Sequence, residues 1–183
     1  MRKIIGISGS LREGSLNSAL LRAASGLMPT GTTLELASIR GIPLYDGDVE
    51  AREGLPAAVS ALKELIAGSD GVLLATPEYN NAMPGVLKNA VDWLTRPAND
   101  IGRVFGDRPI AVIGASPGGF GTILAQDAWL PVLRTLGTRP YFGGRLMVSR
   151  AGSVFDAAGE LVDDKIRAQL QQFLQGFGDF VRA

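Results

Sequence analysis

Short apolar segments alternate with amphipathic helical segments along the whole chain, and this alternation restricts the fold more than any other feature. Residues 71–76 and 109–116 are apolar at almost every position, so as β-strands they need to be buried on both faces. Strands of that kind occur in parallel sheets whose two sides are covered by helices. The sequence therefore predicts a doubly wound α/β sandwich, and we expect residues 1–183 to form a single domain.

The spacing of apolar residues predicts five strands and five helices. The strands are predicted at residues 3–8, 33–39, 71–76, 109–116 and 145–149. The helices are predicted at residues 15–27, 55–67, 84–94, 121–136 and 161–181. Pro131 lacks a backbone N–H group and is expected to kink or interrupt the fourth helix. Residues 40–54 are the longest irregular stretch and are expected to form a loop.

The composition excludes several kinds of chemistry. The chain has no cysteine and no histidine, which rules out a thiol nucleophile, a Ser-His-Asp triad and a zinc site of the usual kind. We therefore predict no metal site and no single catalytic side chain. Lysine plus arginine and aspartate plus glutamate both number 18, which argues against nucleic-acid and anionic-membrane binding. The N-terminal apolar run is too short for a signal peptide, so we expect a cytoplasmic protein.

Three turns that follow predicted strands have an unusual composition. Ligands of parallel sheets bind beyond the carboxyl ends of the strands. The first turn, residues 9–18, combines serine hydroxyls, Asn17, Arg12 and a helix N-terminus, which suits a phosphate group. The alternative is an ordinary capped helix with Ser15 or Asn17 as N-cap. The turn contains neither a Walker motif nor Gly-x-Gly-x-x-Gly, so the two commonest nucleotide loops are excluded.

The second and third turns complete the pattern. Residues 76–85 place Tyr79 between amide side chains, which indicates a clamp for a planar ligand, or otherwise a rigid Pro/Asn turn. Residues 116–121 carry three glycines in four positions, which lets the backbone approach a ligand closely, or otherwise forms a flexible helix entry. Together the three turns predict a site for a mononucleotide with a flat ring.

Several motifs resemble the NADPH-dependent FMN reductase family, which includes flavodoxin-like quinone, azo-dye and chromate reductases. The motifs are Gly9-Ser10-Leu11-Arg12 with Ser15 and Asn17, Pro77-Glu78-Tyr79-Asn80, and Pro84-Gly85-x-Leu87-Lys88-Asn89-Ala90-x-Asp92-Trp93-Leu94. The resemblance implies a flavodoxin-like three-layer sandwich with a five-stranded parallel sheet of order 2-1-3-4-5. It also implies FMN at the switch point between strands one and three, with NADPH or NADH as co-substrate.

The resemblance further assigns the cofactor-binding residues. The FMN phosphate maps to the first loop, with Ser10, Leu11, Arg12, Ser15, Leu16 and Asn17. The isoalloxazine ring maps to Pro77, Glu78, Tyr79 and Asn80, and its pyrimidine side to Ser116, Pro117, Gly118 and Gly119. Many relatives follow a Gly-Gly pair with an arginine in helix four, but residues 121–126 contain none, which leaves acceptor preference and subunit contacts open.

The expected function is hydride transfer from NAD(P)H through FMN to a small-molecule acceptor such as a quinone, an azo compound, chromate or free flavin. One alternative is a non-enzymatic electron carrier of the flavodoxin type, although carriers usually dock through surplus acidic charge. A second alternative is a receiver-like signalling domain, which needs acidic residues where this chain has Gly9-Ser10 and Thr76-Pro77.

A homodimer or homotetramer is also expected. The resemblance implies this assembly, with active sites near the interface. A cluster of apolar residues is expected to be exposed and to form a contact surface: Trp93, Leu94, Ile101, Val104 and Phe105. The alternative is that these residues cover the core beneath a loop.

Overall fold

A computed structural model describes all residues from 1 to 183. The strands are β1 Arg2–Ser8, β2 Thr32–Ala37, β3 Gly71–Ala75, β4 Pro109–Ala115, β5 Arg139–Pro140 and β6 Met147–Val148. The helices are α1 Leu16–Gly26, α2 Gly47–Glu53, α3 Ala57–Ala67, α4 Gly85–Leu94, α5 Ile101–Phe105, α6 Ile123–Thr135 and α7 Asp164–Arg182. Short 3₁₀ turns lie at Ala98–Asp100 and Ala151–Ser153.

The strands form one parallel sheet in the order β2-β1-β3-β4-β5, which confirms the predicted order. Two short strands, β5 and β6, share the fifth position of the sheet beside β4. β5 pairs with the beginning of β4, whereas β6 pairs with its end at Gly114 and Ala115. The single strand predicted at 145–149 is therefore shorter than expected, and β5 was missed because two residues carry no readable periodicity.

Helices cover both faces of the sheet and create two apolar cores. One core lies beneath α1 and α7 and contains Leu20, Phe173 and Phe177. The other lies beneath α3, α4 and α6 and contains Trp93 and Trp129. β3 lies between the two cores, and all five of its residues are buried. The predicted three-layer sandwich is confirmed, and no helix is long and apolar enough to cross a membrane.

Two predictions about local structure are wrong, namely that residues 40–54 form only a loop and that Pro131 interrupts its helix. Residues 40–54 contain a helix, α2, whose N-cap Asp46 accepts hydrogen bonds from the N–H groups of Asp48 and Val49. α2 has no buried residue, so it lacks the apolar stripe by which a sequence reveals a helix. α6 also runs through Pro131 without interruption, held on the two sides of the proline by buried Trp129 and Leu133.

The apolar cluster expected on the surface is mostly buried, so that prediction is wrong and the alternative is right. Trp93, Leu94, Val104 and Phe105 have at most 4% of their surface exposed, and Ile101 is half-buried. The reason is that α5 packs against α3 and closes that side of the core. The cluster therefore does not form a contact surface.

Candidate active site

The loops after β1, β3 and β4 meet at the carboxyl edge of the sheet and enclose an open cleft of about 360 Å³. The sequence-predicted residues that line it are Ser10, Arg12, Ser15, Leu16, Asn17, Pro77, Glu78, Tyr79, Ser116 and Pro117. Ala115 also lines it and was not predicted. Leu11, Asn80, Gly118 and Gly119 belong to the same loops but do not line this cleft. The structure therefore brings together all three loops on which the sequence argument depends.

The first loop presents unpaired donors to the cleft. Ser15 caps α1, its hydroxyl oxygen accepting the N–H of Ser18 at 3.1 Å. The backbone N–H groups of Ser15, Leu16 and Asn17 donate no hydrogen bond within the chain. The exposed guanidinium of Arg12 adds a full positive charge beside them. Free amides, the positive end of a helix dipole and a guanidinium are groups that attract a dianionic phosphate.

The side chain of Asn17 connects α1 to β4. It is buried; its Nδ2 donates to the carbonyl of Ala115 at 2.9 Å and its Oδ1 accepts the N–H of Ala115 at 2.9 Å. Both functional groups of the amide are therefore used within the protein, and only the backbone N–H of Asn17 faces the cleft unpaired. The sequence could not reveal this pairing, because the partner is 98 residues away.

The second loop contains a tight hairpin. Tyr79 and Ala82 exchange two backbone hydrogen bonds of 3.1 Å, and the residues between them, Asn80 and Asn81, have φ values of 51° and 61°. Positive φ at both central positions defines a type I′ turn, in which asparagine is one of the few favoured residues. The Asn-Asn pair is the sequence signal for this turn. The hairpin holds the half-exposed Tyr79 ring at the cleft.

Glu78 joins the second loop to α6. Its Oε2 accepts the N–H of Leu124 at 2.8 Å and the N–H of Ala125 at 3.0 Å. The residue at the N-cap of α6, Thr122, makes no side-chain capping bond, so Glu78 satisfies these amides from another loop. The carboxylate thus fixes the distance between the loops after β3 and β4.

The third loop is closed by its own backbone. The Ser116 hydroxyl donates to the carbonyl of Gly121, and the Gly118 carbonyl accepts the N–H of Arg150 at 2.9 Å. Gly121 has a φ of 63°, and a side chain there would lie 2.9 Å from Cβ of Met147, so only glycine fits. The N–H groups of Gly118 and Gly119 make no hydrogen bond within the chain.

A further loop, which follows β2 and is not one of the three predicted from the sequence, lies against α4. Asn89 and Trp93 both donate to the carbonyl of Pro43, at 2.8 and 2.9 Å. Asn89 also accepts the N–H of Tyr45 at 2.8 Å, and the Tyr45 and Trp93 rings form an edge-to-face pair 5.0 Å apart. Two residues of the motif at 84–94 therefore hold the loop that follows β2.

Comparison with known proteins identifies the family. The model for NADPH-dependent FMN reductases matches residues 2–153. The chain belongs to the NADPH-dependent FMN reductase family. It is 49% identical over 180 residues to an NAD(P)H-dependent FMN reductase of Pseudomonas aeruginosa, and the alignment covers 98% of this chain and 95% of the relative.

Two more relatives support the assignment of this chain to the FMN reductase family. A 2-hydroxy-1,4-benzoquinone reductase of a Burkholderia species is 38% identical over 180 residues, covering 98% of this chain and 96% of the relative. The flavoenzyme NAD(P)H:(acceptor) oxidoreductase FerB of Paracoccus denitrificans has a solved structure with a TM-score of 0.88. It shares 35% sequence identity, and the match covers 100% of this chain and 98% of FerB. The predicted family, flavodoxin-like fold and FMN-dependent NAD(P)H oxidoreductase activity are confirmed.

Proposed function

We propose that the cleft between the three loops holds FMN and that the enzyme uses NAD(P)H to reduce quinones at this site. The observation that carries the proposal is the meeting, in one cleft, of unpaired amides and a guanidinium with an aromatic ring and a glycine-rich loop. FMN, when bound, supplies the redox chemistry, taking a hydride from the reduced nicotinamide and giving electrons to the acceptor. The chain supplies binding, orientation and electrostatics.

The phosphate end of the cofactor fits the first loop. The guanidinium of Arg12 and the hydroxyl of Ser10 line the cleft beside the free N–H groups of Ser15, Leu16 and Asn17. A phosphate monoester carries nearly two negative charges at neutral pH, and hydrogen bonds from a guanidinium to phosphate are among the stronger ones in proteins. We propose that Leu11 contributes to the fold of this loop instead of contacting the phosphate.

The ring end fits the second and third loops. We propose that Tyr79 and Pro77 shape the surface along the isoalloxazine and that Ser116 and Pro117 border its pyrimidine edge. Backbone N–H groups near Asn80 and Gly118 have no partner in the chain and are available to hydrogen-bond the negative charge that the flavin gains on reduction. No side-chain acid, base or nucleophile is needed for this reaction.

Two side chains of the cleft act as positioning residues. Asn17 holds the first loop to β4, and Glu78 holds the second loop to α6. Because both connect loops that would contact different parts of one cofactor, they set the width of the cleft before any ligand enters. Such preorganisation reduces the entropy that binding would otherwise cost.

A non-enzymatic electron carrier with the same fold is the competing function. The balance of 18 basic against 18 acidic residues gives this chain no surplus acidic charge with which to dock to protein partners. Relatives named for quinone substrates favour quinones as the acceptors, and we propose azo compounds, chromate and free flavin as further ones.

The test is steady-state oxidation of NADPH or NADH by the FMN-loaded protein with 2-hydroxy-1,4-benzoquinone. We expect continuous turnover without any added reductase. A protein that binds FMN but consumes no reduced nicotinamide would be a carrier. A colourless protein that cannot be reconstituted with FMN would contradict both functions.

We also propose that residues 1–183 act as one domain in the cytoplasm and assemble into a homodimer or homotetramer. The apolar residues first expected at the interface are buried, but another apolar surface remains on α6 and the adjoining loops. It consists of Phe120, Ile123, Leu124, Leu130 and Phe142, all exposed. A single species of 19.2 kDa in sedimentation at micromolar concentration would contradict this assembly.

A further inference from the structure

The lining of the cleft contains one acidic and one basic side chain, and they belong to different loops. Arg12 lies on the loop after β1, to which we assign the FMN phosphate, and Glu78 lies on the loop after β3, to which we assign the isoalloxazine ring. The two side chains do not pair with each other, since neither takes part in any salt bridge of the structure. The cleft therefore has a cation at its phosphate end and an anion at its ring end.

The carboxylate of Glu78 is fixed in position, and only one of its oxygens is used. Oε2 accepts the N–H groups of Leu124 and Ala125 at 2.8 and 3.0 Å, whereas Oε1 accepts no hydrogen bond within the chain. The side chain is half-buried, which limits screening of its charge by water. The dipole of α6 offsets part of that charge, but no cationic side chain neutralises the rest.

Capping of α6 does not by itself require a charged residue. Serine, threonine and asparagine cap helices about as well as aspartate does. The chain has a threonine at the N-cap position, Thr122, but this residue is buried and its Oγ1 accepts a hydrogen bond from Gln126. Glu78 supplies the cap from the cofactor cleft instead, so a full negative charge stands where a neutral acceptor would satisfy the same amides.

A fixed negative charge at the ring end opposes reduction of the ring. A hydride carries two electrons and one proton, so a neutral ring that takes it from reduced nicotinamide gains one negative charge, and the nicotinamide gains one positive charge. The carboxylate repels that new charge, while the unpaired N–H groups near Asn80 and Gly118 attract it. The balance between these groups determines how readily the reduced cofactor gives its electrons to an acceptor.

We propose that the charge of Glu78 lowers the reduction potential of the bound FMN and so favours electron release to the quinone. The inference rests on the proposed function, because it requires the ring of FMN at this end of the cleft. It adds a second role to a residue that also caps α6. The two roles are separable, since the cap needs an oxygen acceptor and the effect on the potential needs a charge.

The decisive variant is Glu78→Gln, which keeps an oxygen that can accept the two α6 amides and removes the charge. The affinity of the protein for reduced FMN, relative to oxidised FMN, is expected to rise about 5- to 30-fold. For a two-electron couple this ratio corresponds to a midpoint potential about 20–45 mV higher than that of the wild type. The measurement is anaerobic equilibration of the FMN-loaded protein with a redox dye of known potential, followed by flavin absorbance.

A second variant and a control separate the charge from the cap. Glu78→Ala removes both, so its potential should rise as in Glu78→Gln, although its stability falls further. Asp127→Asn removes an exposed carboxylate of α6 that takes part in no salt bridge and does not line the cleft. Its potential should equal that of the wild type, because water screens an exposed charge outside the site.

The outcomes distinguish this inference from the function on which it rests. An unchanged or lower potential in Glu78→Gln overturns the inference, even if the enzyme still reduces quinones. A rise in Glu78→Ala alone would mean that the potential depends on the width of the cleft, and an equal rise in Asp127→Asn would mean that any nearby charge suffices; either result also overturns it. A wild-type protein that binds no FMN would overturn the proposed function, and the inference with it.

Discussion

Replacement of Asn17 by alanine should destabilise the protein far more than its position in a ligand loop suggests. The substitution removes two buried hydrogen bonds of 2.9 Å and leaves the N–H and the carbonyl of Ala115 without partners. A buried polar group that loses its partner costs about 1–3 kcal/mol. The loss for both groups of Ala115 is therefore about 2–6 kcal/mol, a large part of the ~5–15 kcal/mol typical for a domain.

The matched control is Asn89→Ala. Asn89 also uses both ends of its amide, donating to the Pro43 carbonyl and accepting the N–H of Tyr45, each at 2.8 Å. These bonds lie at the surface, where water replaces a lost partner, so the expected loss is about 1 kcal/mol. The two variants thus remove the same side-chain groups and the same number of bonds, and they differ in burial.

The assay is thermal denaturation at one saturating FMN concentration, because a ligand of the native state adds to its stability by mass action. At about 2–4 °C per kcal/mol, the melting temperature of Asn17→Ala should fall by about 4–24 °C. If Asn17→Ala is no less stable than Asn89→Ala, the connection between α1 and β4 does not contribute as the structure indicates. Equal loss in the two variants would also refute the argument from burial.

Four further expectations follow from the same structure. Arg12→Ala should weaken FMN binding about 10- to 150-fold through the lost charge-assisted hydrogen bond but should leave riboflavin binding almost unchanged; equal loss for both ligands in titration would mean that Arg12 supports the loop and not the phosphate. Glu78→Ala should lower the free energy of unfolding by about 1 kcal/mol in denaturation, as loss of a helix cap does, and the stability of Glu78→Gln should lie between those of the wild type and Glu78→Ala. If Glu78→Ala is as stable as the wild type, the cap does not contribute. Initial-rate measurements should give parallel double-reciprocal lines, since donor and acceptor use one site in turn, and intersecting lines would indicate two sites. Arg103 and Lys63 lower the pKa of Asp100. The contribution of the Asp100 carboxylate to the free energy of unfolding is therefore complete above the unfolded pKa of ~3.9 and is lost as pH falls below that value. In denaturation experiments, the stability of the wild type should fall more steeply toward acid pH than that of Asp100→Asn.

The local pattern of the chain determined the parts of the fold that depend on local physics. The apolar periodicity located β1, β3 and β4, and the composition of the turns after them located the three loops of the cleft. These features depend on residues that are near each other in sequence. Consecutive apolar residues indicate a strand that is buried on both faces, and glycine or asparagine indicates a position with positive φ. The type I′ turn at Asn80 and Asn81 belongs to the same class, since asparagine tolerates that conformation.

Only the tertiary structure decided what the polar side chains of those loops do. Asn17 and Glu78 were interpreted as cofactor ligands, but their side chains bind Ala115 and the start of α6, partners 98 and 46 residues away. The same limit explains Trp93 and Phe105, whose burial depends on how α5 packs against α3. A sequence records which groups a residue can offer, whereas hydrogen bonds and burial depend on which distant groups the folded chain brings within reach.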